Sequence, residues 1–432
     1  MGSLAWLLIL LPSLVSAATW YWRPNNASYG DQSGSSYRNA WRVETQVNWA
    51  AMKEGDTLLI CGRHDTGYLD RGFVTGRGHI TISGNCPDDP GEIVSVGIRF
   101  RPQDWSGPDS NGVFTVEYSG SPGSALDEIG QLQLLTSVPT ASSPCRSFYH
   151  SANVLHYRPC GPPQTVYPSG GAPVVDIQHD GVTLEYLSIR NGGRGIEVRN
   201  ATGVNLRHLH IWEHTSIGIT LTGHTSDGKI QFNEINSVSD GIYAIASGDS
   251  MNTDRHDRWL VEGNVIHDVS GSGDAHGIGW QSGSDNVFRR NFIYRAAGSG
   301  ITMYAWRYQE NSRNLIEENV ILDVVKKTIE GGQRGIELSG DSCWKSLDNR
   351  RGDVIRNNII QNVNEGIYAK AGSTVDGNYG VLIEGNRIKA RQTGIRWANP
   401  NGGLAPDLPM RNNVIEAPKA LLPVGGSGTG CQ

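Results

Sequence analysis

The stretch GDAHGIGWQSGSDNVFRRNFIYRAAGSGITMY, residues 273–304, contains two short patterns in alternation. A Gly-Ile pair at Gly277 is followed by Asn291, which has an Ile two residues later, and a second Gly-Ile pair comes near the end. Asp274 and His276 stand directly before the first Gly-Ile pair. The two patterns are typical of a repeat, whereas the acid and the histidine are candidates for a catalytic site.

The Asn pattern recurs along much of the chain. Segments such as LEYLSIR, VEGNVIH, IEENVIL and IRNNIIQ share one position, and an Ile follows that position two residues later in each of them. A buried Asn stacked on its copies at about 4.8 Å can bond to turn backbone and to the Asn above and below it. The shared position is occupied by Leu187, Leu209, Asn233, Asn264, Asn291, Asn319, Asn358, Asn386 and Asn413.

The Gly-Ile pattern alternates with the Asn pattern. The tightest spacing, from Gly195 to Gly218, is 23 residues, which suffices for three short strands and three turns at about 3.3 Å per residue. The L-x-x-L-x-L pattern of leucine-rich repeats is missing, and the period-2 alternation excludes helical repeats. The sequence therefore predicts an all-β parallel β-helix with regular coils over residues 174–416. The glycines are Gly195, Gly218, Gly241, Gly277, Gly300, Gly335, Gly366 and Gly394.

The N-terminus predicts export. An apolar run over residues 4–15 precedes small residues at Val15 and Ala17, which is typical of a secretory signal, residues 1–17. The run is too short to span a bilayer, so we expect no integral membrane span in the mature chain, residues 18–432. No Lys or Arg precedes the run, and a short membrane anchor is the alternative. We expect one secreted or periplasmic catalytic domain.

The six cysteines all follow the signal and include no CxxC pair. This usage predicts structural disulfides in an oxidising compartment and not a metal site. The locally closed pairing joins Cys61 with Cys86, Cys145 with Cys160, and Cys343 with Cys431.

Residues 101–173 break the period and predict an insertion. Its segment SFYHSANVLHYRPCGPP alternates aromatic and polar residues, as a β-hairpin does before a Pro-rich turn. The earlier segments GDTLLICG and GHITISGN predict strands of the first coils.

These features together resemble the secreted right-handed parallel β-helix enzymes that act on polysaccharides. The features are the strand GDTLLICG, the two repeated patterns over residues 174–416, and the hairpin near residues 145–163. The group contains glycoside hydrolases and polysaccharide lyases, so the resemblance implies a right-handed helix, a poly- or oligosaccharide substrate and a monomer. One solenoid hosts many activities, and the resemblance is therefore specific for architecture only.

Loop lengths predict a cleft along one side of the coils. Four loops, residues 249–258, 304–312, 340–352 and 370–379, lengthen the same corner after the Gly-Ile strand. Residues 324–333 lengthen the opposite corner. Loops held on a rigid solenoid often carry function, and the outward side chains of the Gly-Ile strand would form the floor.

Two carboxyl groups are needed to hydrolyse a glycosidic bond. Our preferred pair is Asp274 and Glu337, with His276 positioning one of them and Asp240 as a further catalytic candidate. Asp240 and His276 occupy a turn position, where they could instead bond turn amides, and Glu337 could simply pair with Arg334. The predicted substrate-binding residues are Tyr243, Trp280, Gln281, Tyr304, Trp306, Arg334, Tyr368 and Lys370.

Three other functions are considered. A lyase needs a cation and a base, which Tyr304, Tyr368, Lys370 and Arg396 could supply. A C5-epimerase is suggested only by TDRHDRWLVEGN, in which Arg255 replaces the expected Pro. The third function is a non-catalytic adhesin or sugar-binding solenoid.

The charge balance favours a hydrolase. A net charge of -6 and a pI near 6.1 supply no basic field for nucleic acid or a polyanion. We expect no cofactor, although the Asp-rich loop 249–257 could hold Ca²⁺ without matching an EF-hand pattern.

Overall fold

The structure is a computed structural model, and its strands form a right-handed parallel β-helix. Each coil contributes three strands, which stack on those of the next coil in three columns, here called A, B and C in chain order. The fold and its direction of stacking confirm the prediction from the repeat. The structure describes residues 17–66, 73–87, 89–95, 100–118, 122, 124–127, 130–169, 172–246, 254–270, 275–305, 311–324, 333–340, 352–370, 381–398 and 409–424.

Column A opens each coil and is a single parallel sheet. Its strands are Thr19–Trp22, Thr57–Ile60, Thr81–Ser83, Thr183–Glu185, Asn205–Arg207, Lys229–Gln231, Leu260–Glu262, Val287–Arg289, Leu315–Glu317, Asp353–Arg356, Val381–Glu384 and Met410–Arg411.

Columns B and C follow in each coil and are joined by two long strands, Ile359–Lys370 and Arg387–Ala398, which run through both. The other strands of column B are Arg63–Thr66, Glu92–Ser95, Ser188–Arg190, His210–Trp212, Glu234–Val238, Val265–Val269, Phe292–Ala296, Val320–Leu322 and Val414–Glu416. The other strands of column C are Phe73–Val74, Pro173–Ile177, Arg194–Arg199, Ile217–Thr222, Asp240–Ala244, His276–Trp280, Ser299–Ala305, Arg334–Gly340 and Lys419–Val424.

Stacked isoleucines fill the core, and glycine marks the corner between columns B and C. Ile266, Ile293 and Ile321 are register partners in column B and are fully buried. A Cβ on Gly277 would lie 2.5 Å from Cγ2 of Ile293 and 2.7 Å from the carbonyl oxygen of Gly300. No larger residue fits there, which explains why the Gly-Ile pattern recurs.

The Asn ladder lies at the corner between columns A and B, as predicted. Nδ2 of Asn291 donates to the carbonyl of Val261 at 3.0 Å and to Oδ1 of Asn319 at 2.9 Å. Oδ1 of Asn291 accepts from the backbone N and from Nδ2 of Asn264, at 3.1 and 2.9 Å. The seven ladder Asn residues form one inward column, and the last of them, Asn413, is partly exposed.

A separate small β structure interrupts the coil that opens with Thr81–Ser83, and it lies between Ser95 and Pro173. The predicted hairpin is confirmed, because Ser147–Ser151 pairs antiparallel with Val154–Arg158. The other strands of this insertion are Phe114–Glu117, Ser124–Asp127, Gly130–Gln131, Gln133–Leu134 and Tyr167–Ser169, and it also contains the 3-10 helix Pro102–Asp104. Its apolar residues form their own cluster, distinct from the core of the coils.

The N-terminal end of the solenoid is closed by irregular chain that includes the 3-10 helices Tyr37–Asn39, Glu44–Gln46 and Trp49–Ala51. At the corner between columns C and A, His224–Ser226 pairs in parallel with Arg255–Asp257.

Two of the three predicted disulfides are present, Cys61–Cys86 and Cys145–Cys160. Cys343 and Cys431 lie outside the described residues. The disulfides place the protein in an oxidising, extracytoplasmic compartment, as predicted. Within the described ranges, no helix has the length and apolar character needed to cross a membrane.

Column C faces the region where a cleft was predicted. Residues 247–253, 306–310, 341–351 and 371–380 lie outside the described residues, and each of these segments follows a column C strand. The insertion and residues 325–332 precede column C strands, at the other corner. The stacking of these loops on one side of the solenoid, and the cleft that they would form, stay predictions.

Candidate active site

The outward row of column C is the predicted floor, and five of its members, Asp176, Glu197, Thr220, Thr302 and Tyr368, are buried. Register pairing runs continuously through the residue that follows each buried isoleucine, as predicted from alternation. The row also includes Asp176, which the sequence analysis missed because no Gly-Ile pair precedes it; the alternation of PVVDI could have located it. The row is Asp176, Glu197, Thr220, Tyr243, Gly279, Thr302, Glu337, Tyr368 and Arg396.

Asp240 and His276 form a hydrogen-bonded pair on neighbouring coils. Oδ1 of Asp240 accepts from the backbone N of His276 at 2.8 Å and lies 3.2 Å from its Nδ1. A carboxylate only accepts, so the Nδ1 proton points to Asp240. Nε2 of His276 has no hydrogen-bond partner within the described part of the chain, and the residue is 6 % exposed. The bond from Asp240 to the backbone N of His276 is the structural role considered for it, and its catalytic role stays a prediction.

Tyr243 lies across the next coil. A Cβ on Gly279 would be 2.3 Å from Cδ2 and Cε2 of Tyr243, so the ring covers the bare glycine backbone. Nε2 of Gln281 donates to the Tyr243 hydroxyl at 2.9 Å, and Oε1 of Gln281 accepts from the backbone N of Ala246 at 2.7 Å. Tyr243 is partly exposed, so a fixed aromatic ring lies on the floor beside His276.

A network of alternating charges lies on Arg334–Gly340 and the strands after it, two coils beyond His276. Arg334 donates to Glu337 at 2.6 Å and to Glu365 at 3.0 Å, and Arg396 donates to Glu365 at 2.8 Å. Ser299 Oγ donates to the second oxygen of Glu337 at 3.2 Å. Burial opposes the charge of Arg334, but the two carboxylates more than offset it and its pKa is raised. The arginine therefore bridges two carboxylates, and both oxygens of Glu337 accept hydrogen bonds.

Tyr368 is enclosed by this network. The guanidinium carbons of Arg334 and Arg396 lie 4.0 and 5.3 Å from its ring centroid. The ring is buried, and burial raises its pKa. The Tyr368 ring therefore forms cation–π contacts with both arginines.

The same Arg-Gly-Ile-Glu sequence occurs at the other end of the floor. Arg194 donates to Glu197 at 2.9 Å, and Arg199 lies 3.1 Å from Glu197 and 3.8 Å from Asp176. The Glu197 side chain is only 2 % exposed, against 13 % for Glu337. Burial raises the pKa of Asp176. Two identical motifs therefore differ in access to solvent.

Trp280 corrects one prediction. Since Ile278 and Trp280 both point inward, Gly279 alone faces the floor, and Trp280 is fully buried with its Nε1 donating to the carbonyl of His256. The structure does not support a substrate-binding role for Trp280.

Other predicted residues are only partly described. Tyr304 is half-buried on the strand that pairs with Arg334–Gly340. The backbone of Lys370 pairs with Ala398, while its side chain lies outside the described residues. Asp274 and Trp306 also lie outside them. Asp274 precedes Ala275, which is buried one residue before His276.

The comparisons support the fold. A family model described as periplasmic copper-binding protein (NosD) matches residues 171–334. No curated protein matches the sequence. The chain is similar to the structure of XylC with xylose, with a TM-score of 0.55 and 9 % identity over 88 % of this chain and 69 % of that chain.

Two further structures have similar architecture. The catalytic domain of a GH87 alpha-1,3-glucanase variant, in complex with tetrasaccharides, has a TM-score of 0.51 and 13 % identity over 94 % of this chain and 66 % of that chain. The alginate lyase from Paenibacillus sp. str. FPU-7 has a TM-score of 0.42 and 12 % identity over 88 % of this chain and 97 % of that chain. At these identities the likeness to XylC and to the glucanase domain shows the fold alone.

Two buried histidines of the matched range have both ring nitrogens engaged within the protein. Both ring nitrogens of His214 are engaged by backbone, with Gly192 N at 3.0 Å and the carbonyl of Ile189 at 3.1 Å. His256 is engaged by Thr225 and by the carbonyl of Ile245. In the described part of the chain no three His, Cys, Asp or Glu side chains group as metal ligands.

Proposed function

We propose that the protein is an extracytoplasmic polysaccharide-cleaving enzyme, a glycoside hydrolase with its active site on column C. The observation that carries the proposal is the cluster at the centre of the floor. There an immobilised Tyr243 and a histidine oriented by Asp240 lie on neighbouring coils, and the partly exposed carboxylate of Glu337 lies two coils beyond the histidine.

Glu337 is suited to act as the base. Arg334 forms an ion pair with one of its oxygens, and Ser299 donates to the other. In the inverting reaction it would take a proton from the attacking water, while a carboxylic acid protonates the leaving oxygen. Asp274 is our candidate for the acid. Asp274 lies outside the described residues; His276, two residues after it in the sequence, lies two stacking steps from the coil of Glu337, about 10 Å, and the inverting mechanism needs a separation of about 6.5–9.5 Å.

Asp240 is too far away to be the partner of Glu337. Three stacking steps separate them, about 14 Å. Its hydrogen bonds instead fix the ring of His276, so we assign Asp240 and His276 as positioning residues.

A lyase is less well supported at this position. Elimination from a uronic acid needs a cation for the substrate carboxylate, but Arg334 and Arg396 are already paired with Glu365 and Glu337.

The test is Glu337→Gln with Glu197→Gln as matched control. Both changes remove the carboxylate of an Arg-Gly-Ile-Glu motif. We expect Glu337→Gln to lower turnover about 10²–10⁴-fold and Glu197→Gln to keep activity, with thermal unfolding midpoints recorded for both. Reducing ends and absorbance of unsaturated uronates are measured on a polysaccharide panel. Near wild-type turnover in Glu337→Gln, or unsaturated products, would contradict the proposal.

A further inference from the structure

We infer that the cleft takes an uncharged polysaccharide. This inference rests on the proposed function and specifies its substrate class. The observation that supports it is the arrangement of charged side chains along column C.

The arginines of column C are neutralised within the protein. Arg194 and Arg199 pair with Glu197, and Arg396 pairs with Glu365. Arg334 pairs with two carboxylates, as described above. A uronate that drew Arg396 away would leave Glu365, whose side chain is 10 % exposed, with Arg334 but without its second cation, and removing a partner from a buried ion-pair network is unfavourable.

In the described middle of the floor, the strands themselves carry no Lys or Arg. The four strands between the two Arg-Gly-Ile-Glu motifs are Ile217–Thr222, Asp240–Ala244, His276–Trp280 and Ser299–Ala305, and they contain no Lys or Arg. From Glu197 to Glu337 this strip spans five stacking steps, about 24 Å. The two lysines of column C, Lys370 and Lys419, belong to its last coils.

The groups that the strip presents suit hydroxyl-rich rings. Thr222, Gln281 and the ring of Tyr243 are partly exposed there, and these groups are neutral hydrogen-bonding or stacking partners. The carboxylate of Asp240 is the strip's acidic side chain, and it would repel a polyanion. The strip therefore favours a neutral sugar chain over a polyuronate.

The experiment measures binding of the Glu337→Gln variant to neutral polymers, a glucan and a xylan, and to two anionic ones, polygalacturonate and alginate. We expect binding to a neutral polymer that changes little between low and high salt, since screening acts only on charge. Binding confined to the anionic polymers and lost at high salt would overturn the inference.

Cleavage by the wild-type enzyme separates this inference from the proposed function. Reducing ends released only from anionic polymers would overturn the neutral substrate and leave the hydrolase intact. Neutral binding without cleavage would leave the substrate class intact and remove the hydrolase. Failure to bind or cleave any polymer would overturn both.

A second variant tests the cause. Glu365→Gln removes the carboxylate shared by Arg334 and Arg396, so we expect it to gain about tenfold or more in affinity for polygalacturonate, in a salt-sensitive manner. Unchanged weak binding would show that paired arginines are not what excludes uronates, and it would overturn the argument from charge.

Discussion

At the scale of single residues, the floor depends on the missing side chain of Gly279. Gly279 is the residue that lets the Tyr243 ring lie against the next coil, because any Cβ there would meet the ring at 2.3 Å. The backbone of Gly279 is not in a left-handed conformation, so alanine is compatible with the strand. The effect of a methyl group should therefore be confined to Tyr243.

We expect Gly279→Ala to displace Tyr243, to break its hydrogen bond with Gln281, and to raise KM for polysaccharide about tenfold with little loss of stability. Steady-state kinetics and thermal unfolding check this. Tyr243→Phe serves as the control, since it keeps the ring and loses only the hydroxyl, and its KM should change less. An unaltered KM in Gly279→Ala would mean that the position of the Tyr243 ring has no part in binding.

At the scale of elements, the Asn ladder shows how a buried polar column is tolerated. Each amide satisfies the turn of the previous coil and its own copy in the next coil, so the polar atoms are paired within the column. A second, shorter ladder begins column A strands, in which Oδ1 of Asn314 accepts from Asn286 and Oδ1 of Asp353 accepts from Asn314. The sequence analysis missed it because it has only three members.

We expect Asn291→Ala to lower the free energy of unfolding by about 3–5 kcal/mol, since it leaves the partners of several buried hydrogen bonds unsatisfied at about 1–3 kcal/mol each. Asn413→Ala is the matched control. It ends the ladder and is partly exposed, so its loss should be smaller. Urea denaturation measures the free energy of unfolding of both variants. Equal losses would show that an Asn inside the ladder contributes no more stability than the Asn at its end.

The insertion is an element with its own stabilisation. It has a separate apolar cluster, and Phe100 and Val166 exchange backbone hydrogen bonds of 2.9 and 2.8 Å at its base. Its disulfide closes a 15-residue separation, for which chain entropy alone predicts about 3 kcal/mol.

We expect Cys145→Ala combined with Cys160→Ala to make the insertion sensitive to limited proteolysis while the coils stay resistant. Mass spectrometry of the fragments locates the cuts. Removing Cys61 and Cys86 in the same way provides the comparison, because that disulfide lies in the coils. Cleavage spread evenly over the chain in the first variant would contradict the independence of the insertion.

At the scale of the whole molecule, the sequence predicted the architecture well because a repeat multiplies weak signals. One Gly-Ile pair or one Asn says little, but copies in fixed alternation define the coil, the inward Asn column and the outward row. The site was less predictable. Trp280 looked like a sugar platform from its neighbour Gly279, yet alternation places it in the core. The ion pairs among Arg334, Glu337 and Glu365 depend on which coils are adjacent. Because the loops between coils differ in length, the sequence does not show which residues become neighbours.

Three buried histidines couple the stability of the whole solenoid to pH. Burial lowers the pKa of His64, His214 and His256 from 6.5 to about 4. In the unfolded chain these rings bind protons below about pH 6.5, whereas in the folded chain they do so only near pH 4. The unfolded state therefore binds more protons in this window, and stability must fall as the pH falls through it. At about 1.4 kcal/mol per pKa unit, each ring contributes about 3 kcal/mol.

We therefore expect the urea midpoint to fall steadily from pH 6.5 to pH 4, with a slope that reports three protons taken up on unfolding. His214→Gln should reduce that slope by about a third, because the replacement does not titrate and the other two rings still do. The fall should level off below pH 4, where the folded rings also bind protons, while Asp268, whose ion pair with Arg295 lowers its pKa to about 2, adds a smaller loss there. A midpoint that stays constant between pH 6.5 and pH 4 would show that these rings are not held neutral by burial.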